Sequence, residues 1–86
     1  MSDAALAEIK RKATGNQVSF TGHARKRMAQ RGAIARDVIS ALVTATSATW
    51  QTDNQNYRVE GGVDLDGDEM TVIVTIEANV IVITLF

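Results

Sequence analysis

The segment from Ser19 to Gly32, SFTGHARKRMAQRG, contains the chain's only histidine and four of its nine lysine and arginine residues. A helix that begins after Thr21 places His23, Arg27 and Arg31 at positions i, i+4 and i+8, so their side chains form one stripe along its surface. An imidazole can take or give a proton, and a guanidinium presents a planar fork that matches phosphate oxygens. The spacing therefore indicates a site that binds a phosphodiester and moves a proton beside it.

The same stripe has a purely structural interpretation, which carries equal weight. Arg31 lies close to the apolar side of the helix, where side chains face the core. In this interpretation His23 bonds a backbone carbonyl, and Arg31 pairs with an acidic residue such as Asp37 or Glu60. Ion-pair networks of this kind place charged residues much as active sites do, so the sequence leaves both interpretations open.

Charge is divided unevenly along the chain. Residues 1–36 carry a net charge of +6 and residues 37–86 carry −7, which together give the overall −1. This distribution is not that of a uniformly basic nucleic-acid-binding protein. It predicts a basic helical face that suits a polyanionic partner and a separate acidic sheet edge, although the same polarity also suits head-to-tail self-association.

The composition restricts the cofactors that the chain can bind. Cysteine is absent, which excludes disulfides and thiolate metal sites and fits a reducing compartment. A single histidine argues against zinc, and the loop Asp64–Asp68 lacks the glycine and glutamate spacing of a calcium loop, so we interpret it as a hairpin turn. We expect no metal and no other cofactor. No segment is typical of a signal peptide or a transmembrane helix, so we expect a cytoplasmic protein without membrane contact.

Helical periodicity dominates the first half of what we expect to be a single domain over residues 1–86. The apolar positions and capping residues predict three helices, joined after the first by a short extended link at Val18–Phe20. The helices are expected at Ala4–Ala13 with a cap at Ser2 or Asp3, between Thr21 and Gly32, and at Ala35–Thr44.

The second half is rich in β-branched residues and turn residues. Four strands are predicted: Ala48–Thr52, Asn56–Val63 with a bulge at Gly61-Gly62, Glu69–Ile76 and Val80–Phe86. Their short connections predict an α+β fold in which two or three N-terminal helices pack on a four-stranded antiparallel sheet. The last two strands are apolar on both faces, which predicts central positions and a homodimer that covers the second face of the sheet.

The helical half contains Phe20-Thr21-x-His23-Ala24-x-x-Arg27-Met28-x-x-Arg31-Gly32, then Asp37-Val38 and Ala41-Leu42, and the sheet half contains Tyr57-Arg58-Val59-x-Gly61 and Val82-Ile83-Thr84. This pattern resembles the bacterial family called domain of unknown function 4258. That family is similar to small toxins of the RelE and barnase-like superfamily, which pack N-terminal helices on an antiparallel sheet and mostly cleave RNA. The resemblance implies a ribonuclease toxin or a relative that has lost activity.

Residue by residue, the resemblance implies a site formed from both halves of the chain. The positions that match the family are the predicted catalytic residues His23, Arg27, Arg31 and Arg58, together with Thr84. The predicted substrate-binding residues are Thr84 and, outside the matched positions, Arg25 and Tyr57. In this hypothesis His23 takes the proton of a ribose 2′-OH, the arginines stabilise charge on the phosphate, and Tyr57, Arg58 or a water protonates the leaving oxygen. The family usually has a Ser/Thr-type cap after the Arg-Gly pair, whereas this chain has Ala33-Ile34, which predicts a weaker cap for the third helix.

Two functions from different classes follow. The first is an endoribonuclease toxin that acts on RNA, with the ribosome as a possible setting and an antitoxin as a possible protein partner. It requires His23, Arg27 and Arg58 around one exposed groove. The second is a non-catalytic interaction module or inhibitor whose acidic sheet edge binds a basic protein. It predicts a buried or paired His23 and a contiguous exposed acidic patch. Trp50 and Tyr57 lie on neighbouring predicted strands, where we expect a cross-strand pair in preference to a surface that stacks a base.

Overall fold

A computed structural model describes residues 3–86 of the chain. The elements in chain order are α1 (Asp3–Thr14), β1 (Val18–Phe20), α2 (Gly22–Arg31), α3 (Ala35–Thr44), β2 (Ser47–Gln51), β3 (Asn56–Val63), β4 (Glu69–Ile76) and β5 (Val80–Leu85). The three helices and the four predicted strands are confirmed to within one residue at each end. The predicted cap at Ser2 lies outside the described residues. Within the described range, every helix is too short or too polar to cross a bilayer.

The sheet has five strands in the order β1-β5-β4-β3-β2. The prediction of a four-stranded antiparallel sheet is wrong in one respect, because Val18–Phe20 is a strand and not a link. It pairs in parallel with β5, Val18 opposite Val80 and Phe20 opposite Val82. Strands β2 to β5 form the predicted antiparallel meander. The sheet is therefore mixed, and β4 and β5 occupy the central positions that their two apolar faces predict.

One apolar core lies between the helices and the sheet. The fully buried side chains include Ile9 of α1, Ala24 of α2, Leu42 of α3, and Val72 and Val82 of the central strands. Because opposite residues in a ladder share a face, the register places Arg58, Ile73 and Thr84 in one row on the second face, away from the helices.

The chain's own side chains cover part of that second face. Ile73 is buried although it is not part of the core. Arg58 lies in the same row, where it pairs with Glu60 (Nε–Oε2 3.1 Å) and stacks over the ring of Phe86 at 5.1 Å. The second face therefore has a local apolar and cationic cover of its own, and the homodimer that would bury it stays a prediction.

The predicted bulge at Gly61-Gly62 is confirmed by a register shift between Val59 and Gly62. Here β3 passes so close to α3 that a Cβ atom on Gly62 would overlap the backbone carbonyl of Ala41. Only glycine permits this approach of strand to helix. A second register shift, between Ile73 and Val74, has no glycine to mark it in the sequence.

Gly62→Ala should destabilise the protein by about 1–3 kcal/mol, because the added methyl must displace the backbone of α3. Gly22→Ala is the matched control. A Cβ at Gly22 meets no atom within 4 Å, and its helical backbone favours alanine, so this variant should gain about 0.4–1 kcal/mol. Urea unfolding of both variants measures the difference, and equal stabilities would contradict the close approach.

Candidate functional site

Helix α2 carries the predicted stripe, and its two ends have the predicted caps. Thr21 has extended backbone, and its hydroxyl oxygen accepts a hydrogen bond from the N–H of Ala24 at 3.1 Å. Gly32 ends the helix in the left-handed conformation (φ 72°), and its N–H donates to the carbonyl of Ala29. The helix therefore begins and ends at Thr21 and Gly32, two residue types that are typical of helix caps and that predict these ends from the sequence.

The position of α2 beside β5 depends on backbone carbonyls that β1 is too short to reach. Beyond Phe20 the N–H of Thr21 donates to the carbonyl of Val82 at 3.0 Å. The Thr21 hydroxyl then donates to Ile83 O at 3.0 Å, and Arg27 Nε donates to Leu85 O at 3.2 Å. The helix therefore continues the edge that β1 begins, with side-chain donors in place of a strand.

The arginines of the stripe bind backbone carbonyls and not the predicted acidic partners. Arg31 Nη2 donates to the carbonyl of Glu69 at 2.6 Å. Asp37 accepts from backbone N–H groups, and Glu60 pairs with Arg58, so neither binds Arg31. A carboxylate partner is recognisable from residue type, but a backbone carbonyl exists at every position, which is why the sequence could not identify Glu69 O as the acceptor.

Both guanidinium groups keep donors for a ligand. Arg27 also donates from Nη1 to Gln30 Oε1 at 3.3 Å. Within the part of the chain that the structure describes, these bonds use at most two of the five N–H groups that each arginine carries. The bonds hold each cation in place without saturating it, so both can still bind an anion.

His23 differs from the rest of the motif. Its side chain is exposed, whereas Ala24 and Met28 are buried in the core. In the described range, the side-chain bonds between α2 and the sheet come from Thr21, Arg27 and Arg31, and not from His23. The expectation that His23 is buried or bonded to a carbonyl is therefore wrong. It is the motif residue for which the fold supplies no role.

A cleft of about 300 Å³ lies beside the stripe. It is lined by Arg27, Gln30, Arg31, Leu85 and Phe86. Phe86 is 45% exposed, and its ring also receives the guanidinium of Arg58 at 5.1 Å. His23 does not line the cleft but lies one turn before Arg27, about 6 Å along the helix axis.

Sequence reasoning missed Gln30 and Phe86 as lining residues. Gln30 had a usable signal, because it lies at i+3 from Arg27 on the same helix face. Phe86 had none, because its place beside α2 follows from the pairing of β5 with β4.

The other predicted site residues lie in three separate places. Arg58 and Thr84 are on the second face of the sheet, where both flank Ile73. Arg25 stacks over the ring of Phe20 at 5.9 Å. Tyr57 packs edge-to-face against Trp50 at 4.9 Å, which confirms the cross-strand pair, and β4 and β5 lie between Tyr57 and the α2 edge. Arg58 approaches the cleft only through Phe86.

The acidic segment between β3 and β4 is the hairpin turn that the sequence predicts. Asp64 Oδ1 accepts from the N–H groups of Asp66 and Asp68 at 2.9 and 3.0 Å. One carboxylate oxygen of each of these three residues lies within 4.8 Å of the others. The turn thus gathers negative charge at one exposed point of the surface, opposite in sign to the stripe.

This turn joins the start of α3 through Asp37. Ile34 offers α3 no side-chain acceptor, as predicted, and Asp37 Oδ2 accepts from the N–H of Ile34 at 3.0 Å. Its other oxygen accepts from the N–H of Leu65 at 3.1 Å. Ile34 and Leu65 are 56% and 57% exposed. We call the surface formed by Ile34, Asp37, Asp64, Leu65, Asp66 and Asp68 the acidic patch.

Thr21→Val should destabilise the protein by about 1–2 kcal/mol, because it removes both the cap of α2 and the donor to Ile83. Thr21→Ser keeps the hydroxyl and should stay close to the wild type. His23→Ala should change stability by less than about 0.5 kcal/mol, since the side chain is exposed. Urea unfolding of the three variants measures these changes in the free energy of unfolding. A large loss of stability in His23→Ala would show that His23 has a structural role.

Comparison of the chain with protein-family models, with curated proteins and with solved structures finds no match.

Proposed function

We propose that the protein is a metal-independent endoribonuclease of the toxin type, with its site on the exposed face of α2. The observation that supports this is an exposed imidazole that lies one turn from Arg27 and two turns from Arg31, both of which are held in place but not saturated. His23 supplies a proton acceptor, and Arg27 and Arg31 supply cationic donors for a phosphate. The resemblance to the domain of unknown function 4258 family implies the same activity or a relative that has lost it.

In the proposed reaction, His23 takes the proton from a ribose 2′-OH, whose oxygen then attacks the adjacent phosphorus. The bond from phosphorus to the 5′-oxygen breaks, which leaves a 2′,3′-cyclic phosphate on one fragment. Arg27 and Arg31 stabilise the negative charge that develops on the phosphate oxygens. A water protonates the departing 5′-oxygen, because Tyr57 is two strands away and Arg58 is paired with Glu60 on the second face.

The cleft suits a single-stranded substrate. The exposed ring of Phe86 offers a surface on which a base can stack, and the amide of Gln30 can bond a base edge. Both lie beside the arginines, so a nucleotide could place its base in the cleft and its phosphate on the stripe. Arg25, on Phe20, lies outside this arrangement and is a candidate contact for a flanking phosphate.

We expect the wild type to cleave single-stranded RNA in EDTA and to arrest growth when expressed. His23→Ala should lower cleavage about 10²–10⁴-fold, because it removes the proton acceptor but no bond that holds the fold. Arg11→Ala, which removes an exposed cation on α1, is the matched control and should keep full activity. Gel analysis of a labelled RNA measures both, and undiminished cleavage by folded His23→Ala would remove His23 from the mechanism.

The acidic patch supports a second function, a non-catalytic module that binds a basic protein. Ile34 and Leu65 carry exposed aliphatic side chains, and the carboxylate of Asp37 bonds the backbone N–H groups of both residues. An apolar centre with an acidic rim is complementary to a basic surface that carries apolar side chains.

Binding measurements separate the two functions. A nuclease should bind single-stranded RNA with an affinity that falls with salt, and Arg31→Ala should reduce the slope of log K against log salt by about 0.7. Leu65→Asn should leave this RNA affinity unchanged. No RNA affinity, together with binding of a lysine-rich amphipathic peptide that Leu65→Asn abolishes, would favour the interaction module.

A further inference from the structure

The polar side chains of the cleft consist almost entirely of hydrogen-bond donors. Among the described residues that line it, Arg27 and Arg31 carry only N–H groups, and Leu85 and Phe86 have apolar side chains. Gln30 therefore supplies the one side-chain acceptor of this set, its amide oxygen. That oxygen already accepts from Arg27 Nη1 at 3.3 Å. A ligand in the cleft thus meets mainly N–H groups.

The bond to Arg27 also fixes the orientation of the Gln30 amide. A guanidinium has no acceptor, so a flipped amide would set its own N–H groups against another donor. With the oxygen held by Arg27, both N–H groups of Gln30 Nε2 are left for a ligand. Gln30 therefore acts in this cleft as a donor, although its amide carries both kinds of group.

The backbone acceptors beside the cleft are occupied as well. Leu85 O accepts from Arg27 Nε at 3.2 Å, and Phe86 O accepts from the N–H of Thr71 at 2.8 Å. The bonds that hold α2 and the end of β5 in place therefore use acceptors and leave donors free.

The two purine bases present different groups to a set of donors. On the edge that carries N7, guanine offers two acceptors, N7 and O6, whereas adenine offers N7 and the N6 amino donor. Two neighbouring donors therefore match guanine, but with adenine one donor faces another and both lose a partner. Stacking on Phe86 does not separate the two bases, because every base has a π-face.

The order of the site along α2 decides which base reaches the cleft. His23 lies one turn before Arg27 and outside the cleft, whereas Gln30 lies three residues after Arg27 and lines it. In the proposed reaction His23 contacts the 2′-OH, and Arg27 contacts the phosphate that follows it. The base next to that 2′-OH is attached at the His23 end. The base of the following nucleotide is attached beyond the phosphate, at the Gln30 end.

We propose that the cleft selects guanine in the nucleotide on the 3′ side of the cut bond, an inference that rests on the proposed ribonuclease activity. Gln30 Nε2 and a free N–H of Arg31 donate to N7 and O6, and the ring stacks on Phe86. Arg27 and the other free N–H groups of Arg31 remain for the phosphate. Gln30 is therefore the residue that determines specificity.

The test uses DNA oligonucleotides that contain one ribonucleotide, whose single 2′-OH fixes the bond that can be cut. The wild type should cut before guanine about 5–150-fold faster than before adenine, which is the discrimination typical of a bidentate base contact. Changing the base of the ribonucleotide itself should have a smaller effect. 7-Deazaguanine, which lacks N7, should be cut more slowly than guanine, and hypoxanthine, which keeps N7 and O6, should be cut as guanine is.

A pair of variants tests the role of Gln30. Gln30→Met keeps the length of the side chain but removes the N–H donors, so the ratio of the guanine rate to the adenine rate should fall towards one. Gln17→Met removes an exposed amide between α1 and β1 and is the matched control, which should keep the wild-type ratio.

The outcomes separate this inference from the proposed function. Equal rates before guanine and adenine, or rates that depend only on the base 5′ of the cut, would overturn the inference and leave the nuclease in place. An unchanged ratio in Gln30→Met would overturn the role of Gln30. No cleavage of any of these substrates would contradict the proposed function, and the inference would fall with it.

Discussion

The backbone carbonyls of β5 that extend beyond β1 are the constraint on which the rest of the structure depends. Buried backbone acceptors must be bonded, and β1 ends too early to bond those at Ile83 and Leu85. Thr21 and Arg27 supply the missing donors, which fixes α2 along β5. Because Thr21 and Arg27 bond α2 to β5, the helix cannot rotate freely about its axis. The stripe of His23, Arg27 and Arg31 therefore has a fixed orientation at the edge of the sheet.

The same bonds decide what the arginines can do chemically. A flexible surface arginine must lose side-chain freedom before it binds a phosphate, but Arg27 and Arg31 are already held by Leu85 O and Glu69 O. Cations fixed before the substrate arrives stabilise developing charge without reorganisation. The structural and functional interpretations of the stripe are therefore compatible, since the bonds that complete the sheet edge would also preorganise the proposed site. His23 contributes only to the proposed function, because in the described residues the side-chain bonds that hold α2 to the sheet come from Thr21, Arg27 and Arg31.

Residue types at helix ends and turns predicted the helices and most of the strands. They did not predict contacts between segments that are distant in the sequence. Thr21 and Gly32 marked the ends of α2, and Gly61-Gly62 marked a bulge, because a cap or a close approach restricts residue type. Strand β1 has no such signal: three residues show no periodicity, and its partner β5 is distant in the sequence. The sequence also could not show that Arg58 lies on the second face of the sheet, away from α2. The face on which a strand residue lies depends on strand register and not on composition.

The division of charge along the sequence becomes a division in space. Basic residues are concentrated on the helices, and most acidic residues lie in or beside the turns that join the strands, including Asp53, Asp64 and Glu77. Such a field repels a polyanion from the turns and favours its approach along α2.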